Sequence, residues 1–176
     1  LDFSNPEALD CQTANSSEAI EQKVLLDNIL RFISEDGAQN CHNIILDQLG
    51  QRFSYLISIE SRHIQGRKLE LAIVNHQTKS QTLDVLLSDK NSFIKNYLIV
   101  PPMHFYGSGY SLNFNNISMG NVKTVNDIKN IAIYRIPFYF LTHLELANPN
   151  PMQNNEDSLL AFYQSYDPSW KAYETQ

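Results

Sequence analysis

Near the beginning of the chain, apolar residues recur at a spacing that is typical of an amphipathic helix. The apolar positions that fall on one broad face at 3.6-residue spacing are Leu25, Leu26, Ile29, Leu30, Phe32 and Ile33. Ser16 or Ser17 can cap the first turn with a side-chain oxygen, and Gly37 is a typical stop. The pattern predicts one long N-terminal helix that ends at about Asp36.

Further along the chain the period changes from 3.6 to two, which indicates strands with one buried and one solvated face. Three segments alternate in this way: Phe53 to Ile59, Lys68 to Ile73 and Thr82 to Leu87. The links between them are short and polar. Because a parallel crossover needs about a dozen residues or more, we expect neighbouring strands to pair as an antiparallel meander.

A fourth strand is predicted from Phe93 to Val100, and Pro101-Pro102 must end it because proline cannot donate to a sheet ladder. Alternation resumes from Tyr110 to Phe114, and a polar loop is expected from Asn115 to Asp127. The segment from Ile131 to Leu146 is long enough for one bent strand or two. A short aromatic helix is predicted at about residues 157–166.

These elements predict the α+β fold class. We expect an antiparallel, strongly curved meander sheet, half-barrel-like and of about six or seven strands, packed with one long N-terminal helix and a short C-terminal helix. Residues 1–17 are polar and are predicted to form an extended N-terminal arm. A chain of 176 residues is short enough for one core, so residues 18–176 are predicted to form a single domain.

Charge and hydropathy restrict the classes of partner. The formal net charge is -6 and the thirteen Lys and Arg residues are scattered. Nucleic-acid affinity comes from basic residues that neutralise phosphates, so we expect no nucleic-acid partner. No run approaches the roughly 20 apolar residues that span a bilayer, so no membrane span is predicted. We expect a monomer or weak dimer.

Two cysteines, Cys11 and Cys41, lie on either side of the predicted helix. In an exported protein such a pair favours a disulfide; in a cytoplasmic protein the two would be unrelated buried thiols. The chain begins at Leu1 rather than Met, which either a removed signal peptide or a cloning boundary would explain. We expect a periplasmic or extracellular location, with the cytoplasm as the alternative.

Several short motifs resemble catalytic signatures but lack the required context. Gly107-Ser108-Gly109 has no Lys-Ser/Thr and does not open a helix, so it is not a phosphate loop. Ser92 and Lys95 match S-x-x-K, yet on a strand residues three apart point to opposite faces. The five histidines show no H-x-x-x-H spacing. We therefore predict no catalytic residue, no metal site and no cofactor from local motifs.

The richest segment chemically is the loop after the fourth strand, where aromatic residues surround two glycines. Aromatic rings with polar tips offer large contact area at low entropic cost. The residues predicted to bind a ligand are His104, Phe105, Tyr106 and Tyr110. The alternative is that Tyr106 and Tyr110 cover the open end of the sheet while His104 bonds a backbone carbonyl.

Two functions follow from these features. The first is a non-catalytic binding or interaction protein, exported from a bacterium, which contacts a protein partner or small ligand through this loop, together with aromatic residues such as Tyr139 and Trp170. The alternative is a hydrolase or transferase with a dispersed site. Its general base would be a histidine beside a carboxylate, and the candidates are His104, His143, Asp84 and Glu145.

Overall fold

The structure, a computed structural model, describes residues 19–25, 28–104 and 106–137, and the backbone of two short strands after them. Within these residues it consists of β-strands and connecting turns, without an α-helix. In chain order the strands are β1 Ile20–Leu25, β2 Ile29–Ser34, β3 Gln39–Gly50, β4 Ser54–Gln65, β5 Glu70–Asn75, β6 Gln81–Leu86, β7 Ile94–Val100, β8 Ser108–Ile117, β9 Thr124–Ile136, β10 Leu144–Glu145 and β11 Lys171–Ala172.

The first nine strands form two antiparallel sheets. One has five strands in the order β1-β2-β9-β4-β7, and the other has four in the order β3-β8-β5-β6. The short strands β10 and β11 pair with each other. Because the chain passes back and forth between the sheets instead of adding neighbours in sequence, the architecture is a jelly-roll-like β-sandwich.

The core lies between the two sheets, and both sheets contribute apolar side chains to it. Phe32 of β2 and Phe114 of β8 meet across the interface with ring centroids 6.4 Å apart. Period-two alternation puts every second residue on this inner face. The fully or almost fully buried apolar residues include Leu30, Ile57, Ile59, Leu71, Ile73, Leu98, Leu112 and Ile128. Their burial is the main stabilising contribution to the sandwich.

The prediction of a long N-terminal helix is wrong. β1 and β2 instead form an antiparallel hairpin in which Leu25 pairs with Ile29, and Asn28 adopts a positive φ of 55° at the turn. The apolar spacing fits both structures, since Leu30 and Phe32 also alternate with Arg31 along a strand. Pairing of β2 with the distant strand β9 decides the outcome, because tertiary context overrides a weak local preference.

The α+β half-barrel with a meander is also wrong. The strands predicted in the central part of the chain are confirmed as β4 to β8, and the predicted segment from Ile131 overlaps only the second half of β9; β4 to β9 all pair antiparallel. However, β4 pairs with β7 and β9, whereas β5 pairs with β6 and β8. The short link after β4 therefore crosses to the other sheet. The predicted loop at residues 115–127 holds the end of β8 and the beginning of β9.

Two predicted elements are not covered by the structure. The short helix at about residues 157–166 and the arm at residues 1–17 both lie outside the described residues. The division into an arm and one domain therefore stays a prediction.

A carboxylate at the centre of the five-stranded sheet joins three strands. Asp127 of β9 is fully buried, and its register neighbours are Arg31 of β2 and Arg62 of β4. Arg31 Nε and Nη2 donate to the two Asp127 oxygens at 2.7 and 2.9 Å, and Arg62 Nε donates at 2.7 Å. The hydrogen bond to Asp127 raises the pKa of Arg31. This ion cluster fixes the register of β2, β9 and β4.

Candidate functional site

A cleft of about 490 Å³ opens where three separate segments of the chain meet. The turn between β3 and β4 contributes Arg52 and Phe53, the loop after β7 contributes Met103 and His104, and the end of β9 contributes Arg135. Loops at the end of a sandwich are free to carry binding residues because the packed sheets hold their ends in place. We call this space the end cleft.

The buried side chain and backbone of Gln51 fasten the loop after β7 to the sheet. Met103 N donates to Gln51 O at 2.7 Å, and Gln51 N donates to Gly107 O at 2.8 Å. The fully buried amide Nε2 of Gln51 donates to Asn75 Oδ1 at 3.0 Å and to Gly109 O at 2.9 Å. These bonds hold both ends of the loop that presents His104.

The first glycine of Gly107-Ser108-Gly109 is required for close packing. A Cβ on Gly107 would lie 2.5 Å from Gln51 Oε1 and would also collide with Gln77 Oε1. Gly109 has a φ of +94°, which side chains of L-residues rarely allow. Gly107 thus lets the loop lie against Gln51, and Gly109 lets it lie against His76, which gives both glycines a structural role.

Two arginines lie over aromatic rings at the end cleft. Arg52 Cζ lies 4.2 Å from the centroid of the Tyr106 ring, and Arg135 Cζ lies 3.2 Å from that of Phe53. Tyr106 is 81% exposed and Phe53 is 40% exposed. Guanidinium groups are attracted to ring faces by the ring quadrupole, so each arginine helps to fix the orientation of a solvent-accessible ring.

An apolar groove of about 380 Å³ adjoins the end cleft, and Arg135 lines both. Its other walls include Leu46 and Leu49 of β3 and Ile133 of β9. β3 is an edge strand of its sheet. Arg135 therefore separates a polar, aromatic space from a more apolar one.

Tyr110 lies beneath these spaces, in the core. It is 1% exposed and packs edge-on against Tyr55, with ring centroids 6.4 Å apart. Tyr55 OH donates to Gly50 O at 2.9 Å. Burial, together with the neighbouring Tyr55, raises the pKa of Tyr110 to about 12. The pair supports the floor of the site.

No protein-family model matches this chain, and no curated protein matches it. Solved structures do match. The fold is similar to that of carbohydrate-binding modules. Against CBM4 the TM-score is 0.53 at 12% identity, over 66% of this chain and 78% of that one. Against TmCBM61 in complex with β-1,4-galactotriose it is 0.52 at 8% identity, over 77% of this chain and 91% of that one. At identities this low, the structural similarity shows a similar fold and nothing about function.

The structure brings together only part of the predicted ligand-binding set. His104 is exposed and lines the end cleft; Tyr106 is not a lining residue, but its ring contacts Arg52, which is. Tyr110 lies in the core, and Phe105 is outside the described residues. Sequence reasoning missed Arg52, Phe53 and Arg135. The sequence carries no local signal for them, because only the sheet topology brings the three segments together.

Among the described residues, the end cleft does not contain the predicted pair of a histidine and a carboxylate. None of its described lining residues is Asp or Glu, and Asp84 is exposed on β6. One such pair lies elsewhere, where His76 Nδ1 is 3.0 Å from Asp47 Oδ1, on a carboxylate that is 79% exposed. His143 and the side chain of Glu145 lie outside the described residues.

The residues that the structure describes contain no group of three or more His, Cys, Asp or Glu side chains arranged to hold a metal ion. They also contain no helix that is long and apolar enough to cross a membrane.

Cys41 is buried in β3 at 1% exposure, whereas Cys11 lies outside the described residues. The Cys11–Cys41 disulfide therefore stays a prediction. We expect that alkylation of the unfolded protein will label neither cysteine before reduction and both after it, and that reduction will lower the melting temperature, because a disulfide restricts the unfolded chain. Mass spectrometry under both conditions is the measurement. A Cys11→Ser variant whose Cys41 still resists alkylation without reductant would contradict the bond.

Proposed function

We propose that this chain is a non-catalytic binding module that holds a saccharide in the end cleft. The observation that carries the proposal is the combination of two solvent-accessible aromatic side chains, Tyr106 and Phe53, with the polar side chains of Arg52, Arg135 and His104 around one cleft. A sugar has apolar C–H faces that pack on aromatic rings and hydroxyl groups that accept hydrogen bonds from polar groups. The similarity in fold to CBM4 and TmCBM61 supports the proposal.

The composition of the cleft favours binding over catalysis. A general base works with a second group within hydrogen-bonding reach of the substrate, and the described lining of the cleft gives His104 no carboxylate neighbour. A hydrolase or transferase built on His104 would need that partner. We therefore keep the binding function and propose a saccharide as the partner. A periplasmic or extracellular location belongs to the same proposal, since the predicted disulfide requires an oxidising compartment.

We expect Tyr106→Ala and Phe53→Ala each to weaken saccharide binding by about tenfold or more, because loss of an aromatic anchor at a binding site costs more than about 1 kcal/mol. Affinity electrophoresis in gels that contain soluble β-galactan, β-glucan, xylan, pectate or sulfated galactan identifies the ligand. Titration calorimetry with the matching oligosaccharide then gives the Kd.

Tyr134→Ala is the matched control. Tyr134 is 57% exposed on β9, but it neither lines the end cleft nor lies against one of its two arginines, so this variant should bind as the unmodified protein does. If Tyr134→Ala loses binding while the two cleft variants keep it, the ligand lies on the outer face of the sheet. That result would contradict the proposed site.

A further inference from the structure

The end cleft is positively charged, although the chain as a whole carries a net charge of -6. Its lining includes Arg52 and Arg135, and no Asp or Glu occurs among the described lining residues. A local excess of one sign within a protein of the opposite sign attracts ligands of complementary charge.

Arg52 and Arg135 also differ from the other arginines in what they contact. Arg31 and Arg62 bind Asp127, and Arg67 lies 3.7 Å from Glu70. In the described part of the chain, no ion pair within 4.0 Å involves either cleft arginine. Their guanidinium charges are therefore available to a ligand.

The contacts with aromatic rings restrict the orientation of the two guanidinium groups. Arg52 lies over Tyr106 at 4.2 Å and Arg135 over Phe53 at 3.2 Å. The N–H donors of a guanidinium lie in its plane and point outward from its edge. A guanidinium that packs on a ring can therefore still form two parallel hydrogen bonds with a carboxylate or a sulfate. Such a fork is already ordered before the ligand arrives, so less entropy is lost on binding.

Resting on the saccharide-binding function proposed above, we infer that the end cleft selects saccharides that carry carboxylate or sulfate groups. Arg52 and Arg135 bind the anionic groups, and the parts of the Tyr106 and Phe53 rings that the arginines leave exposed contact the sugar rings. Arginine beside aromatic rings also suits single-stranded nucleic acid, but the similarity in fold to carbohydrate-binding modules favours a saccharide. The two arginines then require that this saccharide carry anionic groups.

The test compares pairs of ligands that differ only in charge. One pair is a galacturonate oligosaccharide and its methyl ester; the other is a sulfated galactan oligosaccharide and its desulfated form. At about 50 mM salt we expect the charged member of at least one pair to bind about tenfold or more tightly than its neutral partner. The preference should decrease at about 0.5 M salt, which screens exposed charges.

Variants connect the preference to the two arginines. Arg52→Gln and Arg135→Gln should each weaken binding of the charged oligosaccharide about tenfold and binding of the neutral partner by a clearly smaller factor, because each arginine also orients an aromatic ring of the site. Arg135→Lys should retain part of the affinity, because it keeps the charge but not the fork. Arg67→Gln removes a positive charge outside the cleft and should have no effect. Thermal unfolding of every variant controls for loss of the fold.

The outcomes separate this inference from the function on which it rests. Equal binding of charged and neutral partners, unchanged by Arg52→Gln and Arg135→Gln, overturns the charge selection and leaves saccharide binding in place. Failure of every charged and neutral saccharide to bind overturns both. Tighter binding of a single-stranded oligonucleotide than of any charged saccharide also overturns the inference.

Discussion

Asp127→Ala is expected to lower the free energy of unfolding by about 3–5 kcal/mol, the loss typical of breaking a buried charge cluster by removing one partner. The Asp127 side chain is fully buried, while those of Arg31 and Arg62 are 25% and 28% exposed. Without the carboxylate, two guanidinium groups face each other with their hydrogen-bonding partner removed. Since both can partly reach solvent, we expect a value near the lower end of this range.

Urea unfolding followed by circular dichroism measures the change, provided that the m-value, the slope of the unfolding free energy against urea concentration, is the same in the variant and the unmodified protein. Asp127→Asn keeps the shape but loses the charge, so its loss should be smaller than that of Asp127→Ala. Asp89→Ala is the matched control because Asp89 pairs with Lys68 on the surface at 57% exposure, and it should cause no measurable change. A loss of less than about 1 kcal/mol for Asp127→Ala would mean that the cluster does not stabilise the sheet.

The same residue illustrates what the sequence could not reveal. Asp127 falls at the end of a segment predicted to be a polar loop, yet it lies at the centre of the sheet. Its partners, Arg31 and Arg62, come from β2 and β4. Hydrophobic periodicity cannot detect a buried charged residue whose ion-pair partners are distant in the sequence, because the pattern shows only which positions are apolar.

Strand alternation was predicted correctly where it is local and strict, as in β4 and β8. The failed helix prediction has a specific reason. The apolar residues of β1 and β2 fit a helical face as well as a hairpin, and the pairing between Leu30 and Ile128 that decides between them is not visible locally. The meander failed for a related reason, since a short link after β4 can also cross to the opposite sheet of a sandwich.

The candidate site was predicted in part. His104 and Tyr106 were found because they lie in one unusual segment, whereas Arg52 and Arg135 reach the cleft only through the pairing of β4 with β9. For Tyr110 the sequence did contain a useful signal. It alternates in step with Leu112 and Phe114, and all three are buried on the inner face of β8. The period therefore favours a core position over the predicted contact with a ligand.

Tyr110 also gives the second large effect that we expect. Tyr110→Ala should lower the free energy of unfolding by about 3–5 kcal/mol, because it leaves a cavity beside Tyr55 in the core. Tyr110→Phe should be close to neutral or slightly stabilising, since the buried hydroxyl has no hydrogen-bonding partner among the described residues. Urea unfolding of both variants measures these changes. A large loss in Tyr110→Phe would reveal a partner for the hydroxyl.

The phenol of Tyr110 makes this prediction dependent on pH. Burial raises its pKa to about 12, whereas the unfolded chain ionises near the usual value of about 10. The neutral form is thus favoured in the folded state, and the stability linked to it is complete below about pH 10 and is lost as the pH rises towards 12. Tyr110→Phe should lose less stability over this range than the unmodified protein, which urea unfolding at several pH values can measure.

Saccharide affinity then separates a supporting role of Tyr110 from a direct one. If Tyr110 only supports the floor of the cleft, Tyr110→Phe should bind the saccharide with an unchanged Kd. If its hydroxyl binds the ligand, Tyr110→Phe should bind more weakly.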